Sequence, residues 1–161
     1  CIKHYPGHGS TSVDTHHGLA DITSTKHDDE QKVFQALIES MKKGSTPKFS
    51  IMTAHLIARS IDPERPASLS KAHTMDRLRA HHSFNGLIFT DSLDMGAIRT
   101  SLNAGEAALS AIQAGADIAL DGFNAPDTCE HPSTYMHSTI AEAVSSGVLD
   151  DSWLPSAVPR R

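Results

Sequence analysis

Apolar residues gather in four short runs along the chain: Cys1-Ile2, Phe49-Ser50-Ile51-Met52, Leu87-Ile88-Phe89 and Ala116-Asp117-Ile118-Ala119-Leu120. Runs this short suit buried strands. Between them the apolar spacing changes to that of helices. The clearest helix follows Asp28 or Asp29, either of which can cap it. Phe34, Leu37, Ile38 and Met41 fall on one of its faces, and Lys42 and Lys43 precede Gly44 at its end. Such a helix covers one face of a sheet. A second is predicted from Ser70, with Met75 and Leu78 as its apolar positions. A third follows Asn103, where Glu106 completes a capping-box pattern ahead of an alanine-rich run to Gly115. A fourth is predicted over Tyr135 to Gly147. Pro63, Pro66, Pro126, Pro132, Pro155 and Pro159 mark loops and the tail, which also holds Trp153. The alternation of strand and helix predicts an α/β fold on parallel strands.

Each apolar run stops at polar, chemically capable residues: Lys3-His4, Thr53-Ala54-His55, Thr90-Asp91 and Asp121. The C-terminal ends of parallel strands share one rim, and active sites collect there. Four βα units are half of a (β/α)8 barrel, and a whole barrel takes about 250 residues. The chain has 161 and starts at Cys1, inside an apolar run. It therefore reads as a half-barrel with exposed strand edges or as a piece of a longer protein, and unpaired edges favour association.

Composition narrows the function classes. With 39% hydrophobic and 20% charged residues the chain can bury one ordinary core. Lys and Arg number 14 against 19 Asp and Glu, a formal charge of −5, and no segment concentrates the basic residues. Nucleic acid is therefore not an expected partner. No stretch nears the roughly 20 apolar residues of a membrane span, and the N-terminus is polar, so neither a span nor a signal peptide is read in the chain; the expected cytoplasmic location rests on the sparse cysteines, which suit a reducing compartment. Cys1 and Cys129 make neither a disulfide framework nor a four-cysteine zinc site. The oddity is 11 histidines.

Four of these histidines lie in the segment from Lys3 to Leu19, with Asp14 and three glycines. A solvated loop could hold them idly. The two-residue spacing of Asp14 and His16, however, lets the carboxylate accept from the imidazole, fix its tautomer and stabilise its charged form, which suits a general acid/base. Gly7-His8-Gly9-Ser10-Thr11 lacks the lysine and following helix of a phosphate-binding loop and reads instead as a mobile segment that carries His16. Asp91 is delivered to the rim by an apolar run, where it is either functional or a helix cap. His55 either lines the site or is structural, Asp94 faces solvent or caps the next turn, and Met95 packs inside. His27, His73, His81 and His82 read as surface or helix-end residues.

The strings KHYPGHGSTSVDTHHGL at 3–19, MTAH at 52–55, PASLS at 66–70, NGLIFTDSLDMGAI at 85–98 and AGADIAL at 114–120 closely resemble the β-N-acetylglucosaminidase branch of glycoside hydrolase family 3, in family order and over nearly the whole chain. The resemblance implies that residues 1–161 are part of a catalytic domain, strands five to eight of its (β/α)8 barrel. It implies Asp91 as the nucleophile, His16 with Asp14 as an acid/base dyad, and Lys3 and His4 as residues that bind sugar hydroxyls. The activity implied is release of terminal β-N-acetylglucosamine from peptidoglycan- or chitin-type fragments by a retaining double displacement, with no cofactor. Retaining glycosidases ordinarily use two carboxyl groups. Histidine in place of the second removes a negative charge on the acceptor side, which in some relatives is thought to admit phosphate as well as water.

The sequence departs from the family pattern at Ser10 and Ser92, where aspartates are usual, and at Ala20, where proline is common. None of these removes a catalytic group. The aspartate and arginine that grip the sugar from the first half of the barrel have no counterpart here. A truncated half-barrel, inactive or binding sugar weakly, is therefore a second reading. A zinc-dependent hydrolase is a third, for which the histidine spacing gives little support.

Overall fold

The computed structural model describes residues 1–25, 27–44, 48–122 and 131–149. Its strands are β1 (Ile2–Tyr5), β2 (Ala20–Asp21), β3 (Ile51–Thr53), β4 (Leu56–Ile57) and β5 (Ile88–Thr90). Its α-helices are α1 (His27–Lys42), α2 (Gly96–Arg99), α3 (Ala104–Ala114) and α4 (Pro132–Ser145).

The first three predicted runs form one parallel sheet in the order β1-β3-β5, with Ile2 opposite Ile51 and Ile51 opposite Ile88. The fourth lies beside β5: Phe89 bridges Ile118 in parallel, Asp117 N–H donates to the Ile88 carbonyl at 2.9 Å, and Thr90 N–H to the Ile118 carbonyl at 3.0 Å. The four runs thus stand side by side in chain order. Side chains alternate as a pleated strand requires. Ile51, Thr53, Ile88 and Thr90 are buried under the helices, where the core adds Tyr5, Phe34, Ile38, Leu78 and Phe84, while Met52 and Phe89 on the other face are half-buried. β2 and β4, which sequence periodicity does not reveal, pair in parallel and tie the segment after β1 to the segment after β3.

Helix α1 buries Phe34 and Ile38, leaves Leu37 and Met41 half-buried, and extends its covered face to Gln31, whose Oε1 accepts from Arg77 Nη1 at 2.7 Å. Asp29 does not cap this helix, because the helix already begins at His27; its carboxylate instead pairs with Lys32 in the first turn. Gly44 ends the segment at φ 71°, as predicted.

The helix expected from Ser70 is replaced by a 3-10 turn at Ala67–Leu69 and a π-helical segment at Ala72–His81. The wider winding turns His73, Thr74 and Leu78 inward and leaves Met75 half-buried. The Thr74 hydroxyl bonds to the carbonyls of Ser70 and Ala114, and the His73 ring stands edge-on to Tyr5. Of the histidines read as surface or helix-end residues, His82 caps the C-terminal end of this segment, where it is buried, His73 near its start is buried as well, and His81 is exposed. α3 carries the predicted capping box, with Asn103 Oδ1 accepting from Glu106 N–H at 2.9 Å and Glu106 Oε2 from Asn103 N–H at 3.0 Å. α4 begins a turn earlier than expected because Pro132 occupies its first position, where a missing N–H is harmless, and His131 caps it.

The side chains of His27 and Asp28, together with Pro126, Cys129, Trp153, Pro155 and Pro159, fall outside the described residues. Arg79 locks the entry to β5: it bonds to the carbonyls of Phe84 and Gly86 and pairs with buried Asp117, whose Oδ2 also accepts from Ile88 N–H. Among the described residues no helix is long and apolar enough to cross a membrane.

Candidate active site

Asp91 follows the last residue of β5, and its N–H continues the ladder to the Thr53 carbonyl at 2.8 Å. Its side chain is 14% exposed, with Oδ1 accepting from Ser92 N–H at 2.9 Å and Oδ2 lying 3.7 Å from His4 Nε2. One carboxylate oxygen is thus fixed by the backbone and the other faces His4. Burial holds His4 below the ordinary histidine pKa, and the nearby Asp91 charge opposes that shift only in part. The ring is therefore mainly neutral at pH 7.

Ser92 fixes the loop that leaves Asp91. Its hydroxyl donates to Asp94 Oδ1 and accepts from Gly122 N–H at 2.7 Å, and its carbonyl accepts from His55 Nε2 at 2.8 Å. Asp94 is accordingly half-buried and engaged by Ser92 rather than free in solvent or capping a turn. His55 is fully buried, with Nδ1 at 2.7 Å from Ser68 Oγ. Because Nε2 donates to a carbonyl, Nδ1 accepts from the serine, and the ring is the neutral Nε2–H tautomer. Burial lowers its pKa, against the raising effects of the Ser92 carbonyl, Asp91 and Asp94. His55 is thus a structural residue that shapes the site from beneath. Met95, as expected, is buried.

Asp14 Oδ1 accepts from the backbone N–H of His16 at 2.9 Å and from its ring Nδ1 at 2.8 Å. These two bonds, the backbone one first, hold the Asp14 carboxyl below its ordinary pKa. They leave His16 Nε2 free to carry or accept a proton. The pair lies near the surface, with the His16 and Asp14 side chains 71% and 59% exposed. Between them Thr15 is buried, its Oγ1 at 3.2 Å from His8 Nε2, and the His8 ring meets that of His4 edge-on. The carbonyls of Thr15 and His16 accept from the amides of Ala97 and Gly96, in the turn beyond Asp91.

The glycine-rich segment read as mobile is fastened in this conformation. Glu30 on α1 accepts from Gly9 N–H and from the Ser10 hydroxyl, and Gly7, at φ 137°, backs against the same side chain. The structure thus joins Asp14 to His16 and His4 to Asp91, with Lys3 exposed beside His4 on β1. Glu30, Thr15 and Gly96 escaped the sequence reading. Ser10 and Ser92 gave a signal, as departures from a familiar pattern.

A cavity of about 870 Å³ opens beside this rim, lined by Leu93, Asp94, Asn103, Asp121, Tyr135 and Met136 among others, with Asp91 outside its lining. Among the described residues no three His, Cys, Asp or Glu side chains converge to hold a metal ion.

Residues 1–160 match the glycosyl hydrolase family 3 N terminal domain. The chain is 30% identical over 172 residues to Beta-hexosaminidase A of Pseudoalteromonas piscicida, covering 99% of this chain and 28% of that protein. It is 37% identical over 132 residues to a Beta-hexosaminidase of Nitrosomonas eutropha, covering 80% of this chain and 35% of the relative. The solved structure of a glycoside hydrolase family 3 beta-N-acetylglucosaminidase from Paenibacillus sp. str. FPU-7 matches with a TM-score of 0.81 at 28% identity, covering 98% of this chain and 29% of that one. The chain spans less than half the length of each of these three proteins. With its parallel strands in an α/β arrangement, the chain belongs to glycosyl hydrolase family 3, within the N-terminal domain of that family.

Proposed function

We propose that this chain carries the catalytic rim of a retaining β-N-acetylhexosaminidase that releases terminal β-N-acetylglucosamine from peptidoglycan- or chitin-type fragments. In this reading residues 1–161 are part of the catalytic domain and supply strands five to eight of a (β/α)8 barrel. The half-buried face bearing Met52 and Phe89 supports that assignment, because a closed barrel fills its interior with side chains from all strands.

The observation that carries the proposal is the pairing of two chemically distinct groups on adjoining loops. Asp91 is a shielded carboxylate with one oxygen anchored and one facing the rim, and the hydrogen-bonded Asp14–His16 pair sits on a loop bonded to the turn beyond it. In the first step Asp91 Oδ2 attacks the anomeric carbon. The bond to the leaving oxygen breaks as His16 Nε2–H donates its proton to that oxygen, which leaves a glycosyl ester and a neutral imidazole. In the second step His16 Nε2 takes a proton from water and the resulting hydroxide attacks the anomeric carbon. The ester bond breaks, Asp91 returns as carboxylate and His16 as imidazolium. Asp14 stabilises that imidazolium in both steps. His4, neutral and next to Asp91, binds a sugar hydroxyl together with Lys3.

The exposure of the dyad favours a second reading, an incomplete half-barrel that binds sugar weakly without turnover. Turnover of a chromogenic β-N-acetylglucosaminide decides between the two. The enzyme reading predicts measurable release that falls about 10³-fold or more in Asp91→Ala. No release from the parent chain, or equal release from the variant, supports the half-barrel instead.

A further inference from the structure

We propose that Gly96 is a positioning residue for the acid/base: the space left by its missing side chain lets the Asp14–His17 loop dock on the turn beyond the nucleophile. The inference rests on the functional reading above and adds a residue that reading does not use.

The docking consists of backbone hydrogen bonds, Gly96 N–H to the His16 carbonyl at 2.9 Å and Ala97 N–H to the Thr15 carbonyl at 3.2 Å. A Cβ on Gly96 would stand 2.6 Å from that His16 carbonyl oxygen and 3.1 Å from the carbonyl carbon and oxygen of His17. These are backbone atoms, which cannot swing aside as a side chain would. The requirement is for space and not for an unusual dihedral, because the glycines with positive φ are Gly7, Gly44, Gly115 and Gly147.

Which side yields to an added methyl follows from burial. The turn that carries Gly96 is anchored from below by Met95, Ala97 and Ile98, each 7% exposed or less. The loop opposite exposes Asp14, His16 and His17 and buries only Thr15. The loop therefore moves. His16 is displaced with it, while Asp91 keeps its anchor through Ser92 and His55. Misplacement of a catalytic group by about 1 Å can cost on the order of 10²-fold in rate.

The experiment compares Gly96→Ala with the parent protein on two β-N-acetylglucosaminides, one with a poor leaving group that needs a proton and one with a dinitrophenyl group that does not. Amide hydrogen exchange at Gly96 and Ala97 is measured alongside. The proposal predicts a loss of about 10²-fold on the first substrate and less than about tenfold glycosylation loss on the second. It also predicts protected amides at both positions in the parent and faster exchange at Ala97 in the variant. Equal losses on both substrates overturn it, as does exchange at free-peptide rates in the parent, a result that does not depend on the variant folding. Inactivity of the parent on both substrates refutes the functional reading and with it the positioning role, whereas protected amides with equal losses refute the positioning role alone.

Discussion

His4 Nε2 and Asp91 Oδ2 lie 3.7 Å apart although β3 separates the strand of one from the strand of the other. Two strand spacings amount to about 9–10 Å, so the side chains converge over the end of β3, where the chain leaves through buried Ala54. The rim of the sheet thus gathers groups from non-adjacent strands around one point.

On the proposed function, His4 binds a sugar hydroxyl beside Asp91. Replacing it with alanine removes one hydrogen bond to the sugar, worth about 1–2 kcal/mol, so kcat/KM should fall about 5- to 30-fold in steady-state assays. An unchanged kcat/KM contradicts this placement.

On the proposed mechanism, His16→Ala removes the proton donor and leaves Asp91 with its Ser92 and His4 contacts. Hydrolysis of a substrate with a poor leaving group should drop about 10²- to 10⁴-fold, while the glycosylation burst on a dinitrophenyl glycoside persists. Equal loss on both substrates argues against an acid role.

Buried His55 gives the fold a pH dependence of defined sign. Its folded pKa is lowered by burial below the ordinary 6.5, so the unfolded chain binds the proton more readily. Stability is complete above pH 6.5 and declines as pH falls from there toward the folded value, by at most about 1.4 kcal/mol per pH unit for this residue. Asp14 and Asp62, both shifted below 3.8, lose their contributions only in more acidic solution. Urea midpoints at pH 7.5, 6.5 and 5.5 should fall in that order, with a shallower fall in His55→Gln. A flat profile from pH 7.5 to 5.5 contradicts the buried neutral tautomer.

The strand positions and the third helix were legible in the sequence because they rest on local signals, short apolar runs and the Asn103–Glu106 capping box. The π-helical segment was not, because His73 and Thr74 are polar by composition and buried by tertiary contacts to Tyr5 and Ala114. In the candidate site, the Asp14–His16 pair was legible from a spacing of two. The bonds from Glu30 to Ser10, from His55 to Ser92 and from Gly96 to His16 span 20, 37 and 80 residues, and no local pattern encodes such distances.

Arg79 and Asp117 form an ion pair with 10% and 2% of their side chains exposed. Arg79→Met leaves the buried carboxylate without its cation and should destabilise the protein by about 3–5 kcal/mol, read as a lowered denaturation midpoint. A loss below about 1 kcal/mol, the range of surface pairs, contradicts a locking role at the entry to β5.

The most direct measurement is to treat the protein with a fluorinated β-N-acetylglucosaminide, digest it and locate the label by mass spectrometry. The account predicts one sugar esterified to Asp91, formed faster in the parent than in His16→Ala when the leaving group is poor. A label on any other residue, in a preparation that turns over substrate, contradicts it.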